Sequence, residues 1–180
     1  MRSFVLTYAN SLFSLAEDED ITQAVMDELK EVENILKDNN EYIRLLDSPT
    51  ISLPERHKLV DEAFSSLMEY VLNFIKILCE KKSVHCFFGC VKQYEKLYNK
   101  KYNIEKFTVI TAHPLSDSLC EKLTLKLEKE SGKKAVLDLR VDKSILGGII
   151  IRTENSQTDA SLRARLDALR AQLTSADVID

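Results

Sequence analysis

The side chains most able to do chemistry in this sequence are its cysteines and histidines. They are Cys79, Cys86, Cys90, Cys120, His57, His85 and His113. Structural zinc usually needs two separated pairs of closely spaced ligands, whereas only His85, Cys86 and Cys90 lie close together here, in an apolar helical segment. The pattern favours reduced, buried cysteines that pack as small hydrophobic side chains, and it predicts no metal site.

Catalysis by a nucleophile or through a nucleotide has no recognisable motif. The histidines lack a partner arrangement such as two histidines one helical turn apart, and no serine lies in a nucleophile elbow. The four glycines, Gly89, Gly132, Gly147 and Gly148, cannot form a Walker loop or a dinucleotide fingerprint. We therefore expect no catalytic residue and no cofactor, although residues distant in sequence could still assemble a site. Gly147 and Gly148 instead indicate a β-bulge or a close backbone approach at the start of a strand.

Charge is distributed unevenly along a chain whose net charge is −4. Residues 1–47 carry 4 basic and 11 acidic side chains, and residues 76–101 carry 7 basic and 2 acidic ones. These segments could attract each other within one bundle or attract a partner's opposite patch. The net charge argues against nucleic acid as a partner, and the basic segment 100–106 is too weak a signal to change that. The acidic run 17–20 reads as a solvated turn between helices rather than a metal site.

The composition is that of an ordinary globular protein, with 44% hydrophobic and 30% charged residues. The most apolar run, 70–79, is far shorter than the ~20 residues of a membrane-spanning helix. The N-terminal segment has no features of a secretory signal or a transit peptide. We therefore expect a cytosolic protein without direct membrane insertion.

Apolar residues recur at helical spacing from the start of the chain to about residue 104. The first helix has an apolar surface broad enough for two packing partners. Ser52 and Glu55 have capping-box spacing, with Pro54 in the first turn of a helix that should bury Leu59, Val60, Ala63 and Phe64. Further helices are predicted from the apolar stripe Val25, Leu29, Val32 and Leu36, over a short segment that ends before Pro49, and around 68–81 and 84–103. Six helices with short connections predict a compact α-helical bundle.

The periodicity changes near Phe107. The segments 107–113, 135–142 and 147–153 read as strands. Between the first two lies a helix that places Leu119, Leu123 and Leu127 on one side and ends at Gly132. A last helix should open near Asp159 as its N-cap and bury its leucines, which are Leu162, Leu166, Leu169 and Leu173. The predicted fold class is mainly α, with a six-helix N-terminal bundle (1–105) followed by a small α/β C-terminal domain (106–180).

Three segments of the chain carry a family resemblance. They are YANSLFSLA (8–16), NFIKILCEKK (73–82) and VDKSILGGIIIRTENSQTDASLRARLDAL (141–169). In this order they resemble the delta subunit of bacterial F-type ATP synthase, the counterpart of the mitochondrial oligomycin-sensitivity-conferring protein. The resemblance covers essentially the whole chain.

This resemblance implies a non-catalytic stator subunit. It would join the top of the catalytic head to the peripheral stalk and so resist rotor torque during proton-driven ATP synthesis. Its N-terminal domain would hold the N-terminal segment of an alpha subunit, and its C-terminal domain would hold the b subunits. The implied location is peripheral, at the cytoplasmic face of the inner (plasma) membrane as part of the complex.

The resemblance also implies partner-binding residues. A groove between the first and fifth helices would involve Tyr8, Ser11, Leu15, Phe74, Ile75 and Leu78. Any one of the large side chains could equally belong only to the core. Arg163 and Arg165 are the candidates for contacts with the stalk, or they could merely solvate the outer face of the last helix.

Two positions depart from the family pattern. The family usually has glycine where this chain has Ala160, and a small residue, often glycine, where it has Ala164. Alanine favours a helix, but a turn that needs positive φ would be strained by it. An unrelated helical adaptor that binds a partner helix is the alternative function. An enzyme whose residues assemble only in space comes third.

Overall fold

The structure is a computed structural model that describes residues 2–154 and 156–166. The chain divides into two compact units, Met1–Tyr102 and Asn103–Asp180, whereas the sequence placed the boundary after residue 105. The protein is mainly helical and carries a small four-stranded sheet in its C-terminal part, as the fold class predicted. None of the described helices combines the length and apolarity needed to cross a membrane.

The first unit consists of helices joined by short connections. They are α1 (Arg2–Asp18), α2 (Thr22–Asp38), α3 (Asn40–Asp47), α4 (Leu53–Ala63), α5 (Glu69–Glu80), a 3-10 turn (Val84–Cys86) and α6 (Phe87–Lys101). Asp20 and Lys82 take positive φ in the connections that follow α1 and α5. Such tight reversals bring consecutive helices back against each other.

The core of this unit forms around α6. Phe87, Val91 and Tyr94 of α6 are fully buried and recur at helical spacing. The phenol of Tyr94 packs edge-on against Phe13 and donates its hydrogen bond to the backbone carbonyl of Thr22. Because its one polar atom is paired, this large side chain can fill the space between α1, α2 and α6.

The cysteines of this unit belong to the same core. Cys79, Cys86 and Cys90 are free and buried, and Cys120 in the second unit is half-buried. Burial raises the pKa of the Cys79 thiol to about 11 and that of the Cys90 thiol to about 12. These thiols therefore stay protonated at neutral pH and pack as small hydrophobic groups, as predicted.

Helix α4 confirms the predicted capping box and corrects the predicted buried face. The Ser52 hydroxyl donates to Glu55 Oε2 at 2.8 Å and the Ser52 backbone N–H donates to the same oxygen at 3.1 Å. These two hydrogen bonds lower the pKa of the Glu55 carboxyl. Val60 and Phe64 are buried, but Ala63 is exposed and Arg56 is buried instead. The Arg56 guanidinium donates to the carbonyl oxygens of Ser48, Ile51 and Cys79. A charged residue can thus fill a core position when carbonyls satisfy its donors.

The second unit is built on a β–α–β crossover. β1 (Ile104–Thr111) and β2 (Lys134–Val141) pair in parallel, and α7 (Asp117–Ser131) connects them. β3 (Ile149–Arg152) pairs antiparallel with β1, and β4 (Gln157–Asp159) pairs antiparallel with β3, which gives the order β2-β1-β3-β4. Phe107, Val109 and Leu127 form the buried cluster between the sheet and α7. Gly132 ends α7 with φ +69°, as predicted.

Several details of this unit differ from the sequence prediction. Strand β4 was not predicted, because three polar residues carry no apolar alternation and pair only through their backbone. Leu119 is exposed because the cluster under α7 draws only on Leu123 and Leu127. Leu162 and Leu166 are 48% and 50% exposed rather than buried. The predicted positions Leu169 and Leu173 lie outside the described residues.

Candidate functional site

A surface groove lies between α1 and α5. Its volume is about 300 Å³. The lining residues are Tyr8, Ser11, Leu12 and Leu15 of α1 with Tyr70, Asn73, Phe74 and Ile77 of α5. Because none of these side chains is charged and most are apolar, the groove suits an apolar helix face.

The α1 wall follows from the breadth of that helix's apolar surface. Ala9, Leu12, Phe13 and Ala16 face the core, whereas Leu15 is 43% exposed. Tyr8 is half-buried and stacks on Phe4 with 4.2 Å between ring centroids. The predicted residues Tyr8, Ser11 and Leu15 therefore all lie in the groove.

The α5 wall differs from the one that the family resemblance implied. Phe74 lines the groove as its buried floor, but Ile75 and Leu78 are fully buried in the core and do not line it. Tyr70, Asn73 and Ile77 take their place, with Ile77 37% exposed. The signal that could have identified them is the second stripe at i, i+3 and i+7 on a helix that is apolar almost all round.

A second concave surface lies in the C-terminal unit. It is a cleft of about 450 Å³ between α7 and strands β1 and β3, with the chain through Ala160 at its rim. Phe107, Leu127, Ile149 and Ile151 form its apolar floor. The alternation of apolar residues in β1 and β3 was the signal for this floor, although the sequence prediction did not use it.

The two predicted arginines lie outside this cleft. Arg163 and Arg165 are exposed and belong to a helical segment at 162–166. The N-cap of that segment is Ser161 and not Asp159, because the Ser161 hydroxyl accepts a hydrogen bond from the Ala164 backbone N–H. Asp159 accepts a hydrogen bond from Ser161 instead, and this bond lowers the pKa of the Asp159 carboxyl.

Gly147 and Gly148 make the predicted close backbone approach. A Cβ atom on Gly148 would lie 2.5 Å from the Ala160 carbonyl oxygen and 2.8 Å from Ser161 Cα. Leu162 N–H donates to the Gly147 carbonyl at 2.9 Å, which fixes the start of the helical segment at 162–166 beside β3. Ala160 is not among the described non-glycine residues with positive φ, so the expected strain does not arise there.

Two of the three histidines lie near carboxylates of other segments of the first unit. His85 Nδ1 lies 2.7 Å from Asp47 Oδ2, and His57 Nε2 lies 3.7 Å from Glu80 Oε1. Within residues 2–154 and 156–166, no three His, Cys, Asp or Glu side chains are grouped so that they could hold a metal ion.

Comparisons with known proteins agree on one protein family. The family model described as ATP synthase delta (OSCP) subunit matches residues 6–173. The ATP synthase subunit delta of Clostridioides difficile (strain 630) is 32% identical over 169 residues, which cover 93% of each chain. The ATP synthase subunit delta of Methylobacterium sp. (strain 4-46) is 31% identical, covering 94% of this chain and 90% of the relative.

A solved structure shares the fold. A chain in the cryo-EM structure of the Toxoplasma gondii mitochondrial ATP synthase hexamer superimposes with a TM-score of 0.73 at 21% identity. The superposition covers 94% of this chain and 97% of the other. The likeness therefore extends through both units of the protein.

Proposed function

The chain belongs to the ATP synthase delta (OSCP) subunit family, and we propose that it links the top of the catalytic head to the peripheral stalk. Members of this family are structural subunits of the ATP synthase complex rather than catalytic ones. Family membership excludes the two alternative functions, an unrelated helical adaptor and an enzyme. The proposal concerns which partners the two units hold, and by which residues.

In this proposal each of the two units binds a different partner. The six-helix bundle of residues 1–105 binds the head, and the small α/β domain of residues 106–180 binds the stalk. The separation into two compact units at Tyr102 supports such a division, since each unit has its own buried cluster. A link of this kind holds the head still while the rotor turns inside it.

The groove between α1 and α5 is the observation that carries the proposal. It offers two helical walls with an apolar floor of Leu12 and Phe74, into which a third amphipathic helix can lay its apolar face. The proposed occupant is the N-terminal segment of an alpha subunit. Exposed Leu15 and Ile77 would be covered by the bound helix, which adds hydrophobic stabilisation to the complex.

The C-terminal unit is proposed to hold the b subunits of the stalk. Arg163 and Arg165 remain the candidate contacts, because both side chains are exposed on one short helical segment. The protein would act at the cytoplasmic face of the inner (plasma) membrane as a peripheral subunit, since the complex to which it belongs is membrane-bound.

Torque sets the affinity that the link needs. A stator that dissociates under load uncouples rotation from synthesis, so we expect a dissociation constant at or below nanomolar for the assembled link, equivalent to ~12 kcal/mol. One peptide in one groove supplies only a part of this, because the head and the stalk engage the link together.

Isothermal titration tests the groove assignment. The probe is a synthetic N-terminal peptide of about 25 residues from the alpha subunit of the same organism, long enough for several helical turns. We expect one-to-one binding with a negative heat-capacity change. Leu15→Asp should weaken binding by at least about tenfold, because it places a charge in an apolar interface.

Leu6→Asp is the matched control. Leu6 lies on the same helix and is 39% exposed, but it does not line the groove. It should therefore leave the affinity for the peptide unchanged. A folded wild-type protein that does not bind the peptide, or equal losses for the two variants, would contradict the groove assignment.

A further inference from the structure

The two walls of the groove repeat one order of side chains. Along α1 the order is Tyr8, Ser11, Leu12 and Leu15, and along α5 it is Tyr70, Asn73, Phe74 and Ile77. Each wall thus has a tyrosine, a polar residue, a large apolar floor residue and an aliphatic residue at i, i+3, i+4 and i+7. Helical spacing places all four on one face of each helix.

The polar residues lie at the middle of the groove in either relative direction of the helices. Seven residues span ~10.5 Å of helix, and the polar residue stands near the midpoint of that length in each wall. Ser11 and Asn73 therefore form a polar waist at the middle of the groove, with a tyrosine or an aliphatic residue beyond it at each end. Both side chains of the polar waist are exposed.

Neither side chain of the polar waist has a hydrogen-bond partner among the described residues of the free protein. Among the hydrogen bonds of the described residues, none involves the side chain of Ser11 or Asn73, so water must satisfy them. A bound helix would displace that water. Leaving one of these groups unpaired against an apolar helix would weaken binding by about fivefold or more.

We propose that Ser11 and Asn73 fix the register of the bound helix by pairing with one hydrogen-bonding side chain in the middle of its apolar stripe. The inference rests on the proposed function, because the occupant is the alpha-subunit N-terminal helix. No charged residue lines the groove, so a charge at that place would be buried without a counterion. The paired side chain is therefore a neutral amide or hydroxyl.

The physical logic is that of a single polar residue in a coiled-coil seam. An all-apolar groove binds an apolar stripe in several registers of similar energy, because hydrophobic contact is not directional. One buried hydrogen-bonding pair makes every register but one leave a polar group unsatisfied, and so selects that register at some cost in affinity. For a stator, one register means one defined geometry between the head and the stalk.

A double-mutant cycle tests this inference by titration with the same alpha-subunit peptide. Asn73→Leu should lower the affinity for the native peptide by about fivefold or more, because the peptide's polar side chain loses one of its two partners and meets an apolar side chain instead. A peptide whose mid-stripe amide or hydroxyl residue is replaced by leucine should bind the wild-type protein more weakly. The same peptide should recover affinity with the Asn73→Leu protein, which gives a coupling between the two positions.

Register is read separately from affinity. The peptide carries a nitroxide at one end, and paramagnetic broadening of the protein's amide signals reports where that end lies. Wild-type protein with the native peptide should show broadening at one end of the groove. The Ser11→Ala/Asn73→Leu protein with the leucine peptide should show broadening at additional positions along α1 and α5, because no polar pair then distinguishes the registers.

Asn99→Leu is the matched control, since Asn99 lies on α6 outside the groove. It should change neither affinity nor register. If the wild-type protein binds the peptide but Asn73→Leu binds it equally well in the same single register, the polar waist has no such role and the groove assignment stands. If the folded wild-type protein does not bind at all, the proposed function itself fails.

Discussion

Gly148 shows how one residue can determine the start of a helical segment. Its φ is +87°, and any Cβ atom would meet the Ala160 carbonyl oxygen at 2.5 Å and Ser161 Cα at 2.8 Å. Both groups are backbone, so a side-chain rearrangement cannot relieve the contact. The absence of a side chain therefore lets the backbone of 160–162 lie against the start of β3.

Gly148→Ala should accordingly destabilise the C-terminal unit by roughly 2–4 kcal/mol, through positive φ and the clash together. Gly132→Ala is the control, because Gly132 has φ +69° but would place its Cβ in open space. It should cost only about 1–2 kcal/mol. Hydrogen exchange of the β1 and β3 amides measures both effects in the unit concerned, and equal losses of protection would show that the contact is unimportant.

The buried thiols make stability depend on pH. The pKa of Cys79 is raised to about 11 and that of Cys90 to about 12 in the folded protein, mainly by burial, from an ordinary value of 9.0. The unfolded chain therefore loses these protons first as pH rises. The stabilisation of the neutral thiols is fully present below pH 9 and is lost progressively above it, toward the folded pKa values.

Between pH 9 and pH 10 each of these two thiols should reduce the free energy of unfolding by about 1 kcal/mol. A Cys79→Ala/Cys90→Ala double variant should start from a lower stability, because small cavities replace the sulfur atoms. Its stability should nevertheless fall by about 2 kcal/mol less than that of the wild-type protein over this interval. Urea unfolding at the two pH values measures the difference, and parallel losses would argue against titration of these thiols.

At the scale of elements, α5 shows why a correct helix can be assigned the wrong face. Its apolar residues cover almost the whole circumference, with Val71, Ile75 and Leu78 toward the core and Ile77 toward the groove. Periodicity identifies the helix, but it cannot rank two apolar faces whose difference depends on the packing of α4 and α6 around them. The order of helices and their bounds follow from local signals, whereas the groove face depends on tertiary contacts.

The C-terminal unit shows the same limit for strands. β-Branched residues and apolar alternation indicate β1, β2 and β3, so these strands could be predicted from the sequence. β4 is the polar segment Gln157–Asp159, whose only sheet signal is backbone pairing with β3. The N-cap is Ser161, two residues after the predicted Asp159. Asp159 is the last residue of β4, so the helical segment can begin only after it.

Neighbouring isoleucines of α5 give a direct test of the corrected face. Ile77→Asp should leave the fold intact, because Ile77 is 37% exposed, and should weaken alpha-peptide binding by at least about tenfold. Ile75 is only 1% exposed, so Ile75→Asp should bury a carboxylate in the core and unfold or strongly destabilise the N-terminal unit. Circular dichroism melts together with peptide titration separate the outcomes. A well-folded Ile75→Asp protein with weakened binding would instead support the face that the family resemblance implied.

At the scale of the whole molecule, the proposed role is mechanical, and its failure should appear as uncoupling rather than as lost catalysis. The catalytic chemistry belongs to other subunits of the complex, so a weakened link should still allow ATP hydrolysis. The head would then rotate with the rotor, and hydrolysis would no longer drive proton pumping. Leu15→Asp and Ile77→Asp act on opposite walls of one groove. If their effects are independent, the double variant should weaken head binding by about 100-fold.

ATP synthase reconstituted with the Leu15→Asp/Ile77→Asp protein should therefore hydrolyse ATP but pump few protons per ATP in closed vesicles. The comparison is the ratio of pumping to hydrolysis, measured with a pH-sensitive dye and a phosphate assay on the same vesicles. Complexes carrying Leu6→Asp should keep the wild-type ratio, since Leu6 is exposed on α1 but lies outside the groove. An unchanged ratio in the double variant, with the subunit present in the complex, would mean that contacts other than this groove resist the torque. Equal falls in pumping and hydrolysis would instead point to a defect in assembly, because a slipping stator spares hydrolysis.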